Sequence, residues 1–174
     1  MRIKIAEVLR KYPGKVPSSI AAELGVSEMD VIRAMSFEDA QEVSAACFDE
    51  IMTAVADWGV VTLLVANEAA ILEVKGHIPP GSHGFGYYNF KHGQSPIGGH
   101  IKASAIKSIF FVNRPYRGLE SMSIQFFNSE GQGIFKIFLS RDQKRRIIPE
   151  QRQKYAELRE VLLEQMDETM PISV

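Results

Sequence analysis

The stretch Ser121–Ser140, "SMSIQFFNSEGQGIFKIFLS", decides the fold class. Met122, Ile124 and Phe126 alternate with Ser121, Ser123 and Gln125, the period of two that sends alternate side chains to opposite faces of a strand. A second aliphatic and aromatic run, Gly133–Ser140, follows after "SEGQ", whose glycine suits a short hairpin loop. The reading is an antiparallel pair with one apolar face and one partly polar face.

Working outward, the same strand character recurs in "VVTLLVAN", "AAILEVKGH", "FGYYNF", "HIKASA" and "SIFFVN", with Asn67-Glu68 as a hairpin turn between the first two. The links between runs are too short for parallel crossovers, so a largely antiparallel sheet of about seven or more strands is expected. The flanks change period. Phe48, Ile51, Met52, Val55 and Trp58 recur at threes and fours and predict a helix from about Val43 to Trp58, ended by Gly59. A last helix starts near Pro149, a residue suited to a first helical turn, with the stripe Tyr155, Leu158, Leu162 and Met166. Near the N-terminus, Ile5, Val8 and Leu9 form a short stripe ended by Tyr12-Pro13-Gly14. Then "SSIAAELGVSEMDVIRAM", Ser18–Met35, has a helix-turn-helix pattern with its turn at Gly25. The order helices, strands, helix is α+β. One domain over residues 1–174 is expected, with 1–36 a small helical module packed on a main body of 43–174.

Composition narrows the function classes. Twenty basic residues against 21 acidic give a net charge of −1, with no global attraction to nucleic acid or anionic membrane. Ser18–Met35 itself carries Arg33 against Glu23, Glu28 and Asp30, the wrong sign for a phosphate lattice, so its two helices read as scaffold. The cations Arg141, Lys144, Arg145 and Arg146 are interrupted by Asp142 and have no stacking aromatics, so they read as a solvated approach to the last helix. One cysteine, Cys47, leaves no intrachain disulfide and no cysteine metal cage; on an apolar stripe it reads as a core thiol. No run reaches the roughly 18 apolar residues of a membrane span and no signal-peptide pattern opens the chain, which points to a soluble cytoplasmic protein.

The chemistry concentrates in "HIPPGSHGFGYYNFKHGQSPIGGH", which holds all four histidines (His77, His83, His92 and His100) with Tyr87 and Tyr88. The spacing is not that of a helical zinc site, no acidic residue falls inside, and neither a serine-hydrolase elbow nor a phosphate-binding glycine loop is present. Imidazole and phenolate are axial ligands of haem iron. In "GGHIK", Gly98 and Gly99 permit close approach of a flat ligand, His100 can address a metal, and Lys102 follows two residues on, the same-face spacing of a strand. With no C-x-x-C-H, any haem would be bound non-covalently. From residue chemistry alone His100 is better accounted for as a hydrogen-bonded strand histidine than as a ligand. Tyr87 and Tyr88 alternate, so one faces the core. His83 and His92 fall in Gly/Pro-rich loop segments and read as surface histidines, and His77 ends a strand.

"GHIKASAIKSIFFVNRPYRGLESMSIQFFNSEGQGIFKIFLSRD", Gly99–Asp142, closely resembles the signature region of the bacterial haem-utilisation proteins of the HutX/ChuX type. The resemblance extends to "ADWGVVTLLV", "GYYNF" and the N-terminal helices, nearly the whole chain. It implies one half of the duplicated HemS-type haem-trafficking architecture, with a split pair of antiparallel sheets, rebuilt by a homodimer with haem in its clefts. It implies a cytoplasmic carrier or store of imported haem rather than an enzyme, with haem-uptake and haem-degrading proteins as further partners. Haem degradation is the alternative activity; a helix-turn-helix regulator or adaptor is the more remote one. Carried over by position, His100 is the first iron-ligand candidate and Tyr87 the second, with His83 as another ligand candidate. Lys102, Lys136 and Arg114 are cations for the propionates. Two departures bear on this. Ala66 stands where some members carry a histidine, so a bis-histidine pair using that place is unavailable, and Phe85 replaces a histidine common before "GY".

Overall fold

The computed structural model describes residues 1–169. Three helices come first: α1 (Arg2–Lys11), α2 (Pro17–Leu24) and α3 (Glu28–Arg33). Then follow β1 (Ala40–Ser44), α4 (Phe48–Val55), β2 (Val60–Ala66), β3 (Ile71–His77), β4 (Gly81–Gly84), β5 (Tyr87–Phe90) and β6 (His100–Ile101). The chain continues through β7 (Ser108–Asn113), β8 (Met122–Phe127) and β9 (Gly133–Phe138) to α5 (Pro149–Thr169). The α+β order stands, and every strand pairing is antiparallel.

The strands form two sheets rather than one: six in the order β1-β7-β8-β9-β2-β3, and three in the order β4-β5-β6. Two strands were not anticipated. The expected helix start at Val43 is instead β1, because Gln41 and Val43 alternate inward while the chain pairs with β7, and the helical stripe begins only at Phe48. A 3-10 turn, Ala45–Cys47, separates the two, so Cys47 is half-buried outside the helix, and burial pushes its thiol up. His83 lies in a strand, β4, not in a loop.

β8 is buried along its whole length, on both faces. Ile124 and Phe126 join the main core with Phe111, Ile137, Val55 and Tyr155. Phe126 stacks on Phe135 with ring centroids 4.1 Å apart, and Phe111 meets Tyr155 of α5 at 5.0 Å edge to face. On the other face Phe110, Val112 and Phe127 pack on Ile32 of α3. The helix-turn-helix pattern is therefore present as geometry, with Gly25 left-handed at φ 65° and a Ser27–Asp30 capping box, and its second helix is turned onto the sheet. Glu28 pairs with Lys136 at 2.6 Å, and Arg33 Nε donates to Glu42 at 2.8 Å. The β8–β9 loop closes against the same helix: Met29 N–H donates to Gly131 O at 3.2 Å, and a Cβ on Gly131 would lie 2.3 Å from Ser27 Oγ.

The small sheet joins the main core through its inner face. Tyr88, 5% exposed, meets Phe48 edge-on at 5.2 Å, and Phe48 in turn meets Phe126 at 6.1 Å. Gly81 makes this possible, since a Cβ there would stand 2.3 Å from the Tyr88 ring.

Candidate functional site

The alternation left open in the sequence resolves in β5. Tyr88 and Phe90 are buried, while Tyr87 is 44% exposed and Asn89 lies on the same outer face. Across the sheet Asn89 pairs with His100, and Tyr87 pairs with Gly84, so Tyr87, Asn89 and His100 share that outer face. The Tyr87 and His100 ring centroids are 6.2 Å apart. Because Gly84 and Ser82 are the β4 residues on this side, and a Cβ on Gly98 or Gly99 would meet only open space, the surface around the imidazole is low and open.

Asn89 fixes the imidazole, and its role was not foreseen. Its Nδ2 donates to three backbone carbonyls: Gly84 O at 2.9 Å, Tyr87 O at 3.0 Å and Ser82 O at 3.3 Å. That leaves Oδ1 facing His100, where it lies 2.6 Å from Nδ1. An acceptor there places the ring proton on Nδ1 and the lone pair on Nε2, the tautomer and orientation that a metal-binding histidine needs. The period-two pattern of "YYNF" put Asn89 on the face of Tyr87, which was the available signal.

The other candidates are dispersed. His83 pairs with Tyr88 in register and therefore occupies the inner face, its Nε2 2.7 Å from Asp49 Oδ1 and its ring beside Tyr88 and Phe48. Within one protomer it and His100 cannot address the same ligand atom. Lys102 is exposed but leaves the strand: β6 ends at Ile101, and Lys102 caps a 3-10 turn instead of continuing the alternation. Lys136 is engaged by Glu28 on the α3 side of the large sheet. Arg114 is largely buried beneath α1, where Nη2 donates to Leu9 O at 3.4 Å and Tyr12 O at 3.5 Å and Asp39 lies 4.0 Å away. Burial pushes its pKa down and Asp39 pulls it up, with burial the larger effect. Among the described residues no three His, Cys, Asp or Glu side chains converge on one point, so the chemistry on offer at His100 is that of a single imidazole donor on an open face beside the Tyr87 ring. Two shallow hollows, of about 330 Å³ between α4 and α5 and about 230 Å³ between α1 and Asp39, include neither His100 nor Tyr87.

Comparison with known proteins bears on the chain as a whole. The chain is 34% identical over 148 residues to the intracellular heme transport protein HutX of Vibrio cholerae serotype O1, covering 85% of this chain and 77% of that protein. The structure of the heme-binding protein ChuX superposes with a TM-score of 0.82 at 34% identity, over 91% of this chain and 99% of the other. Apo-PhuS, a heme-binding protein from Pseudomonas aeruginosa, shares the fold over 87% of this chain and 46% of its own, with a TM-score of 0.73 and 16% identity, so this chain matches about half of it. The family model described as haem utilisation ChuX/HutX matches residues 41–158, from β1 into α5, and the chain belongs to that family.

Proposed function

We propose that this protein binds haem on the outer face of the small sheet and carries it inside the cell, with His100 Nε2 as the axial ligand. The observation that carries this reading is the Asn89–His100 contact of 2.6 Å, which engages Nδ1 and leaves Nε2 turned to an open surface beside Tyr87. The relatives HutX and ChuX are a heme transport and a heme-binding protein, which supports the same ligand. Binding is non-covalent, because Cys47 lies in the turn before α4 and is not followed by a histidine. Lys102 is the cation best placed in sequence to meet a propionate, since Lys136 and Arg114 are committed to Glu28 and the α1 carbonyls. The openness of the site in one protomer favours a homodimer in which a second copy covers the exposed side of the macrocycle. Residues 1–174 act as one domain in this reading, with residues 1–36 serving as a brace for the sheet. The cellular setting follows that of HutX, and no described helix is long and apolar enough to cross a membrane.

Carriage and degradation are separated by one experiment. Purified protein is saturated with ferric haem, mixed with apomyoglobin, and followed in the Soret region. In parallel it is incubated with a mild reductant in the presence of catalase. A saturable Soret shift near one haem per chain and full recovery of intact haem on the acceptor are expected. A ring-opened tetrapyrrole that forms despite catalase makes the protein an enzyme, and no saturable shift removes the haem reading altogether.

A further inference from the structure

The β4–β5 hairpin turns on Phe85 and Gly86, with φ values of 54° and 83°. Two central residues at positive φ make a turn of the kind that matches the strand twist, and its favoured occupants are Asn-Gly or Asp-Gly. A phenylalanine at the first position is unfavourable twice over. The left-handed backbone crowds its Cβ, and its ring is fully exposed, contributing no packing. An asparagine would relieve both. Backbone strain of this sort clusters at ligand clamps and active sites.

The place of the turn says which ligand. Phe85 is two residues from Tyr87, itself 44% exposed, whose ring lies 6.2 Å from His100. Two exposed aromatic side chains, one oriented imidazole and the flat Gly84 position therefore sit on one short hairpin and its neighbour strand. We propose that Phe85 is an aromatic contact for the porphyrin plane bound at His100, recognising the tetrapyrrole ring rather than its metal. This rests on the haem-binding reading above and assigns to Phe85 a role separate from ligation. An aromatic pair contributes about three- to tenfold in affinity beyond the area it covers.

The test uses the full chain and two ligands, ferric haem and metal-free protoporphyrin IX, titrated into wild type, Phe85→Asn, Phe85→Trp and His100→Ala. Phe85→Asn raises thermal stability, because it suits the turn, and weakens both ligands about three- to tenfold. Phe85→Trp keeps wild-type affinity for both. His100→Ala weakens ferric haem strongly and the metal-free ring little. If Phe85→Asn binds both ligands as wild type does while His100→Ala behaves as stated, the Phe85 proposal is overturned and the haem site stands. If wild type binds neither ligand, both fall. A Phe85→Asn variant that loses only self-association, with ligand affinity intact, assigns the ring to a contact between copies and likewise overturns the proposal.

Discussion

At the scale of single residues, the small sheet depends on what Asn89 and Gly81 each exclude. Asn89 Nδ2 is held by three carbonyls, so its Oδ1 has one orientation and the His100 tautomer follows from it. Asn89→Ala should therefore weaken ferric haem binding about tenfold, in the range found for partners that orient metal-bound histidines. The metal-free porphyrin, titrated alongside, should lose much less; equal losses would mean that the substitution simply disordered the hairpin. Gly81 has no room for a side chain, since a Cβ there would stand 2.3 Å from the Tyr88 ring. Gly81→Ala should destabilise by about 1–3 kcal/mol, the usual range for overpacking, read as a lower urea midpoint at unchanged slope. The sequence could say that one of Tyr87 and Tyr88 faces inward but not which. That choice is made by the missing Cβ of Gly81 and by Phe48, residues 7 and 40 positions away from Tyr88. Asn89 escaped notice for a related reason. Its importance lies in four hydrogen-bonding partners, and only its face, not its partners, is written in the alternation of β5.

At the scale of elements, legibility follows how much each segment depends on distant contacts. β8 and β9 carry their own period and their own turn, with Gly131 left-handed at φ 76°, and they were readable directly. The β2–β3 hairpin was readable too, because Asn67 Oδ1 accepts from the N–H groups of Ala69 and Ala70 and builds the turn locally. β1 was not, since five residues with two inward positions fit the end of a helical stripe as well as an edge strand. Only the partner β7 decides between them. The N-terminal helices show the converse: their local pattern was clear, and their use came from tertiary contacts. Arg114 ties α1 to the start of the β7–β8 connection through Leu9 and Tyr12 carbonyls. Arg114→Leu should cost about 2 kcal/mol through lost charged hydrogen bonds, and amide exchange in α1 should accelerate well before exchange in β8. Uniform acceleration across the molecule would show that α1 and the sheet unfold as one unit.

At the scale of the whole molecule, the pattern is a six-stranded sheet whose strands β7 and β8 are covered on both faces, with a three-stranded sheet mounted on its core through Tyr88, Phe90 and Phe48. In the proposed reading the large sheet supplies rigidity and the mounted one presents the ligand face, with His100 and Tyr87 held on strands. The ion pair of Arg33 with Glu42 fastens α3 to β1, and it gives the fold an acid-sensitive point. Burial alone would raise the Glu42 carboxyl, but Arg33 and Ser108 together hold it below the ordinary glutamate range. A depressed folded-state pKa contributes stability that is complete above about pH 4.5 and is lost as pH falls through the folded value. Glu42→Gln should accordingly lower stability by about 1 kcal/mol or less at pH 7, since the pair is partly solvated, and should flatten the decline below about pH 4.5. Parallel urea titrations at pH 7 and pH 3.5 check it; an unchanged acid limb would place the sensitivity elsewhere. The same scale explains why the site was legible as a window but not as a set. His100, Tyr87 and His83 are close in sequence, yet pairing across β4-β5-β6 places the first two on one face and the third on the other.

The central claim is that His100 Nε2 is the iron ligand, and imidazole rescue tests it most directly. His100→Gly is loaded with ferric haem and its absorption and electron paramagnetic resonance spectra are recorded with and without added imidazole. The account predicts an altered Soret band and spin state in the variant, restored to the wild-type spectra as imidazole fills the place left by the side chain. Spectra of His100→Gly identical to wild type before any imidazole is added would contradict it and move the iron to another donor.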